Sequence, residues 1–166
     1  MKLKVLGSNS DGNSYLLITE DGEVLGIECG VNFREIKEAL NFDLSKLNII
    51  VSHSHGDHSK GIKEATNNGV EVYSSKECFE EVKITSHRAN VLEENKLHKI
   101  GGFLVYPFDV VHDVKCFGFV ISHPEMGVTM FVTDTMYVPN RVKGLNNVII
   151  EANYCENIIE EKTDKP

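Results

Sequence analysis

Three of the chain's seven histidines fall in one short stretch, His53-Ser54-His55-Gly56-Asp57-His58. Neutral imidazole nitrogen and carboxylate oxygen are the ligands that borderline divalent metals such as zinc accept, and this stretch supplies both. One tight loop cannot close the coordination shell of two ions, so a metal centre here needs ligands from elsewhere in the chain. Two later positions offer them: His112, after Pro107-Phe108-Asp109-Val110-Val111, and Asp134, after the apolar run Met130-Phe131-Val132 and before Thr135. Each of these side chains also has an ordinary use, as a helix cap or a surface hydrogen-bonding group. His87, His98 and His123 read as surface histidines, the last of them preceding Pro124 in a turn.

The elements that must position these residues follow from periodicity. Leu47-Asn48-Ile49-Ile50-Val51 is a β-branched run that reads as a buried strand, with the histidine cluster in the loop at its end. Apolar runs also precede His112 and Asp134, so all three places share one design, a rigid strand that ends in a ligand-type side chain. Upstream, Lys2–Leu6 and Tyr15–Thr19 read as strands flanking Gly-Ser-Asn-Ser-Asp-Gly-Asn, which is either a hairpin connection or a loop whose N–H groups approach an anion. Val24–Ile27 reads as a third strand, and Phe33, Ile36, Lys37 and Leu40 follow at helical spacing. Ile62–Ala65 begins a helix closed by Asn67-Asn68-Gly69, Val70–Tyr73 is a strand, and Cys78–Val82 a short helix. The stretch from Ser86 to Lys99 gives no clear period. Beyond it Phe103–Tyr106, Val110-Val111, Phe117–Ile121, Val128–Val132 and Val148–Ile150 read as strands. Strands, then helices, then strands imply an α+β fold, a layered sandwich in which helices cover sheets. No Gly-rich βαβ fingerprint occurs, which removes the dinucleotide cofactors.

The chain has 166 residues, 41% of them hydrophobic, enough to bury the core of one domain. Its 17 Lys and Arg against 25 Asp and Glu give a net charge of −8, a balance that argues against a surface built mainly to grip phosphate, although a bound metal reverses this locally. Lys60, Lys63 and Lys76 could form a basic rim near the histidine cluster, or simply be solvated helix lysines. No apolar run is long enough to span a membrane, and Met1–Ser10 lacks the apolar stretch of a signal peptide. Cys29, Cys78, Cys116 and Cys155 form no Cys-x-x-Cys pair and read as reduced thiols, which fits a cytoplasmic protein.

His53-x-His55-x-Asp57-His58, His112 and Thr133-Asp134-Thr135 together resemble the metallo-β-lactamase superfamily. Gly7–Ser14, Phe108–Asp113 and Ile150-Glu151-Ala152-Asn153 are similar to its nuclease and phosphodiesterase branch, in particular the YycJ/WalJ-type exonucleases and, more distantly, tRNase Z. The resemblance spans Val5 to Asn153. It implies an αββα sandwich in which His53, His55 and His112 hold one divalent ion, Asp57 and His58 hold a second, and Asp134 bridges them. The implied chemistry is hydrolysis by a metal-bound hydroxide between two zinc or manganese ions roughly 3.5–4 Å apart, with Asp57 orienting the attack. Asp113 could accept a hydrogen bond from a ligand, or be an exposed turn carboxylate. Nucleic acid or a small phosphodiester is the expected substrate; a thioester, lactone or lactam is the alternative within the same fold.

Two departures from the family pattern stand out. The family's Asp after the third strand is Glu28 here, in Glu28-Cys29-Gly30, and is expected to anchor the metal loop in the same way with one more methylene. No histidine follows His123, whereas the family takes a last ligand from beyond Ile150-Glu151-Ala152-Asn153. This predicts a single metallo-hydrolase domain over residues 1–166 that is shortened at its C-terminus. A third possibility follows, a catalytically incomplete chain that holds one ion and needs a C-terminal segment or partner.

Overall fold

The computed structural model describes residues 1–138 and 141–151. Six strands, β1 (Lys2–Asn9), β2 (Gly12–Ile18), β3 (Val24–Ile27), β4 (Leu47–Ile50), β5 (Glu71–Ser74) and β6 (Ala89–Val91), form a first sheet in that order. Its first two pairings are antiparallel, and β3 to β6 run parallel. Strands β7 (His98–Ile100), β8 (Phe103–Asp109), β9 (Phe117–His123), β10 (Gly127–Val132) and β11 (Asn147–Ile150) form a second sheet in the order β11-β10-β9-β8-β7, antiparallel except for β10 with β11. Between the strands of the first sheet lie α1 (Phe33–Ala39), α2 (Gly56–Ser59), α3 (Ile62–Asn67) and α4 (Lys76–Glu81).

Alternation along each strand builds the layers. Leu16, Val24, Ile49, Val51 and Val72 face Phe33, Ile36, Ile62, Ala65 and Phe79 of the helices. Tyr15, Leu17, Leu25, Ile27 and Ile50 point the other way, onto Phe103, Val105, Phe117, Phe119, Ile121 and Phe131 of the second sheet. Each fully buried Phe or Leu in that layer contributes roughly 1.5–3 kcal/mol of transfer free energy. Among the described residues the helices cover the first sheet only. The outer face of the second sheet carries Leu104, Val148 and Ile150 exposed, and Tyr106, Val120 and Met130 half-buried.

Two open readings are settled and two expectations change. The Gly7–Asn13 stretch is a hairpin, with β1 and β2 paired out to Asn9↔Gly12 and a bulge between Val5 and Gly7. The second half of the histidine cluster is a helical turn, α2, because the His55 carbonyl accepts from both His58 N and Ser59 N while Ser59 Oγ bonds back to Ser54 O. Val110 and Val111 form no strand. Instead β8 runs through Pro107, whose missing N–H faces the side where the three-residue β7 has already ended and only Asn95 N reaches the Pro107 carbonyl. Within 86–100 lie β6 and β7, two edge strands too short to carry a period, through which the chain crosses from one sheet to the other. Asn153, Cys155 and the tail after them lie outside the described residues.

Candidate metal centre

The site forms where strand ends of both sheets converge. Val51, Ser52 and His53 continue from β4, His55 caps α2, and Asp57 and His58 lie on it. His112 follows β8 and Asp134 follows β10. The turn is held from behind by three consecutive N–H groups after β3: Glu28 to the Ile50 carbonyl, Cys29 to that of His58 and Gly30 to that of Asn13, at 2.8–2.9 Å. Gly30 is required there, because a Cβ on it would lie 1.5 Å from the Asp57 carbonyl oxygen.

The rings of His53, His55 and His112 form a triangle with centroids 4.7, 4.8 and 4.9 Å apart. One ligand atom from each lies within 4.8 Å of the others, and the same holds for His53, His58 and Asp134. Asp134 Oδ2 lies 2.7 Å from His58 Nε2 and 3.5 Å from Nε2 of His53, the residue common to both groups. Asp57 Oδ2 is 3.2 Å from His58 Nε2. All six residues singled out from the sequence as ligands are therefore brought together.

Neighbouring groups fix which nitrogen each ring presents. His53 Nδ1 lies 2.8 Å from Ser52 Oγ and 3.6 Å from Cys116 Sγ, so Nε2 is turned into the site, where it is buried and has no hydrogen-bond partner. An orphaned imidazole nitrogen facing two more imidazoles and a carboxylate fits a divalent ion. Burial, and then the neighbouring His58, hold His53 down at about 3, so it stays in the neutral form that can ligate. Burial also pushes His58 down, but Asp134 and Glu28 outweigh it and raise it to about 10. Asp134 is lowered, by His58 above all.

Glu28 is fully buried, with Oε1 3.5 Å from His58 Nδ1 and Oε2 accepting from Ser52 N. It stands with φ 65, a left-handed backbone that costs a non-glycine residue roughly 1 kcal/mol and is tolerated where the surroundings over-determine it. Asp113 Oδ1 lies 3.1 Å from His112 Nε2 and 3.5 Å from His55 Nε2, with its side chain mostly in solvent.

Two contacts had no role assigned from the sequence. The Asn13 amide reaches over from β2, 3.1 Å from His58 Nε2 and 3.4 Å from Asp57 Oδ2. Glu151 Oε2, after β11, accepts from Thr133 Oγ1 at 2.6 Å and from Asp134 N at 3.2 Å, and so holds the left-handed turn at Asp134 (φ 43). The first signal was the amide-rich hairpin, and the second a carboxylate closing an apolar run, as Asp134 itself nearly does. Of the basic rim, Lys60 bonds the Asp11 carbonyl, Lys76 pairs with Glu80, and Lys63 faces a different groove.

The fold is shared by solved proteins. The metallo-β-lactamase fold protein YhfI from Bacillus subtilis superposes with a TM-score of 0.62 at 19% identity, over 78% of this chain and 60% of that one. The chain has the metallo-β-lactamase fold. Its sequence is similar to proteins named as nucleases. It is 26% identical over 174 residues to exodeoxyribonuclease WalJ of Streptococcus pneumoniae, covering 95% of this chain and 64% of that protein. It is 27% identical to exodeoxyribonuclease YycJ of Bacillus anthracis, covering 93% of this chain and 63% of that one. The chain thus spans less than two thirds of the length of either relative. No family model matches it.

Proposed function

We propose that this chain is a metal-dependent hydrolase of phosphodiester bonds, a nuclease, with two divalent ions, zinc foremost, in the site. The observation that carries it is the buried, unpartnered His53 Nε2 at the junction of two ligand groups. His53, His55 and His112 would hold one ion, Asp57 and His58 the other, with Asp134 between them. Such ions supply a nucleophile at neutral pH and neutralise charge on the phosphoryl oxygens. The protein's own part is positional. Ser52 and Glu28 fix the ring orientations of His53 and His58, and Glu151 fixes Asp134. Asp57, the most exposed of the ligands on α2, is the residue that would orient the attacking water, and Asp113 steadies the His112 and His55 rings. The two relatives named exodeoxyribonucleases favour DNA as substrate. No helix among the described residues is long and apolar enough to cross a membrane. The free, buried thiols of Cys29, Cys78 and Cys116 support the cytoplasm as its place of action.

The test is a substrate panel on zinc-loaded protein: a labelled oligodeoxynucleotide, an oligoribonucleotide, a thioester and a β-lactam. Cleavage of an oligonucleotide that a chelator abolishes, and that His55→Ala lowers at least about a hundredfold, is the expected result. Turnover of the thioester or lactam alone, or oligonucleotide cleavage unchanged in the variant, would overturn the proposal.

A further inference from the structure

At the far end of β5 from the metal turn, on the order of 13 Å away for a four-residue strand, a groove of about 610 Å³ opens between the C-terminal ends of α3 and α4. Its volume is that of an ordinary small-ligand site. The walls are polar and basic, with Lys63, Thr66, Lys83, Ser86, His87 and Arg88 among them. Arg88 is held by Glu71. Lys63, Lys83 and His87 have no ion-pair or hydrogen-bond partner for their side chains among the described residues. In a chain with eight more carboxylates than Lys and Arg side chains (25 against 17), two unpaired lysines stand together on this one groove.

The lysines are not there to cap the helices. The last carbonyls of α3 already accept from Asn68 N, Gly69 N and Val70 N, and those of α4 from Val82 N, Lys83 N and Ile84 N. Both helices close with the same pair of bonds, Gly69 N to Thr66 O with Val70 N to Ala65 O, and Lys83 N to Glu80 O with Ile84 N to Phe79 O. This closure places one residue in the left-handed region, a position that favours glycine. In α3 that residue is Gly69, at φ 87; in α4 it is Lys83, at φ 56. A β-substituted cation is thus kept, against backbone preference, on the wall of the groove.

We infer that this groove binds a phosphate group, with Lys83 and Lys63 as the charge partners and the Ser86 hydroxyl, which accepts from Arg88 N and is free to donate, as a hydrogen-bond donor. The phosphate comes either from a free phosphate-bearing molecule or from a nucleic-acid backbone lying across the surface. The inference does not rest on the hydrolytic proposal, because binding is read at the groove's own residues.

The experiment is a titration of zinc-loaded, ¹⁵N-labelled protein with inorganic phosphate in one arm and a short single-stranded phosphorothioate oligothymidylate, which resists hydrolysis, in the other. The amides of residues 83–88 shift saturably. Phosphate binding tighter than the oligonucleotide assigns a free ligand; tighter oligonucleotide binding that weakens with salt assigns a strand. Lys83→Gly, which restores the favoured residue at the α4 closure, raises Tm while weakening phosphate roughly fivefold, the effect of one charge at an exposed site. Lys63→Gln weakens it to a similar degree, and Lys76→Gln, outside the groove, does not. Shifts confined to the metal turn, or unchanged affinity in both Lys83→Gly and Lys63→Gln, would overturn the inference.

Discussion

The first sheet delivers His53, His55, Asp57 and His58 from a single turn that a backbone hydrogen bond from Cys29 ties to the segment after β3. The second sheet delivers His112 and Asp134 one at a time, from the ends of β8 and β10. On the first side the two innermost imidazoles are fully buried, and each has a polar neighbour at its far nitrogen, Ser52 Oγ at 2.8 Å from His53 and the Glu28 carboxylate at 3.5 Å from His58. On the second side His112 and Asp134 are partly open to solvent, and their support comes from Asp113 and Glu151. The difference assigns the two halves different work. One side is a rigid socket built by packing, and the other closes on it through a few polar contacts that can be removed singly.

That contrast sets the order of expected effects. His53→Ala removes the nitrogen common to both ligand groups, and zinc affinity, followed by competition with a chromogenic chelator, falls at least about a hundredfold. Gly30→Ala drives a methyl group into the backbone of the metal turn. Stability to urea drops by about 3 kcal/mol, because the clash is with backbone and no side chain can yield. Glu28→Gln keeps the shape of the socket but removes its buried charge, and zinc affinity falls roughly 10–100-fold. Glu151→Gln, acting on the looser side through Asp134, costs roughly tenfold. An effect of Glu151→Gln equal to or larger than that of Glu28→Gln would break the distinction between socket and closure. At the small end, Leu104→Ser on the exposed face of β8 changes stability by no more than about 0.5 kcal/mol, whereas Val105→Ala, one residue on and in the inter-sheet layer, costs about 2 kcal/mol.

The socket was the more legible half, and the reason is chain distance. His53, His55, Asp57 and His58 are neighbours in sequence, so their residue types alone announce a metal site. His112 and Asp134 were legible because each ends an apolar run. The buried strand within Leu47–Val51 was legible too, as an apolar run, but not which of its residues meet the helices and which the other sheet. What was not legible depends on long-range approach. Asn13 reaches the site only because β1 and β2 pair to the very tip of their hairpin, and Glu151 only because β11 lies parallel to β10 in register. The helical form of α2 was hidden as well, since Gly56-Asp57-His58-Ser59 has poor helix propensity and is wound by the His55 carbonyl and the Ser59 hydroxyl. β6 and β7 are too short for any period to show.

The most direct test of the two-ion socket is metal content by mass spectrometry of the zinc-loaded chain after exhaustive dialysis, run beside His53→Ala. Two zinc ions per chain, falling below one in the variant, is the predicted result. One ion or fewer per native chain, or undiminished zinc in His53→Ala, would contradict it.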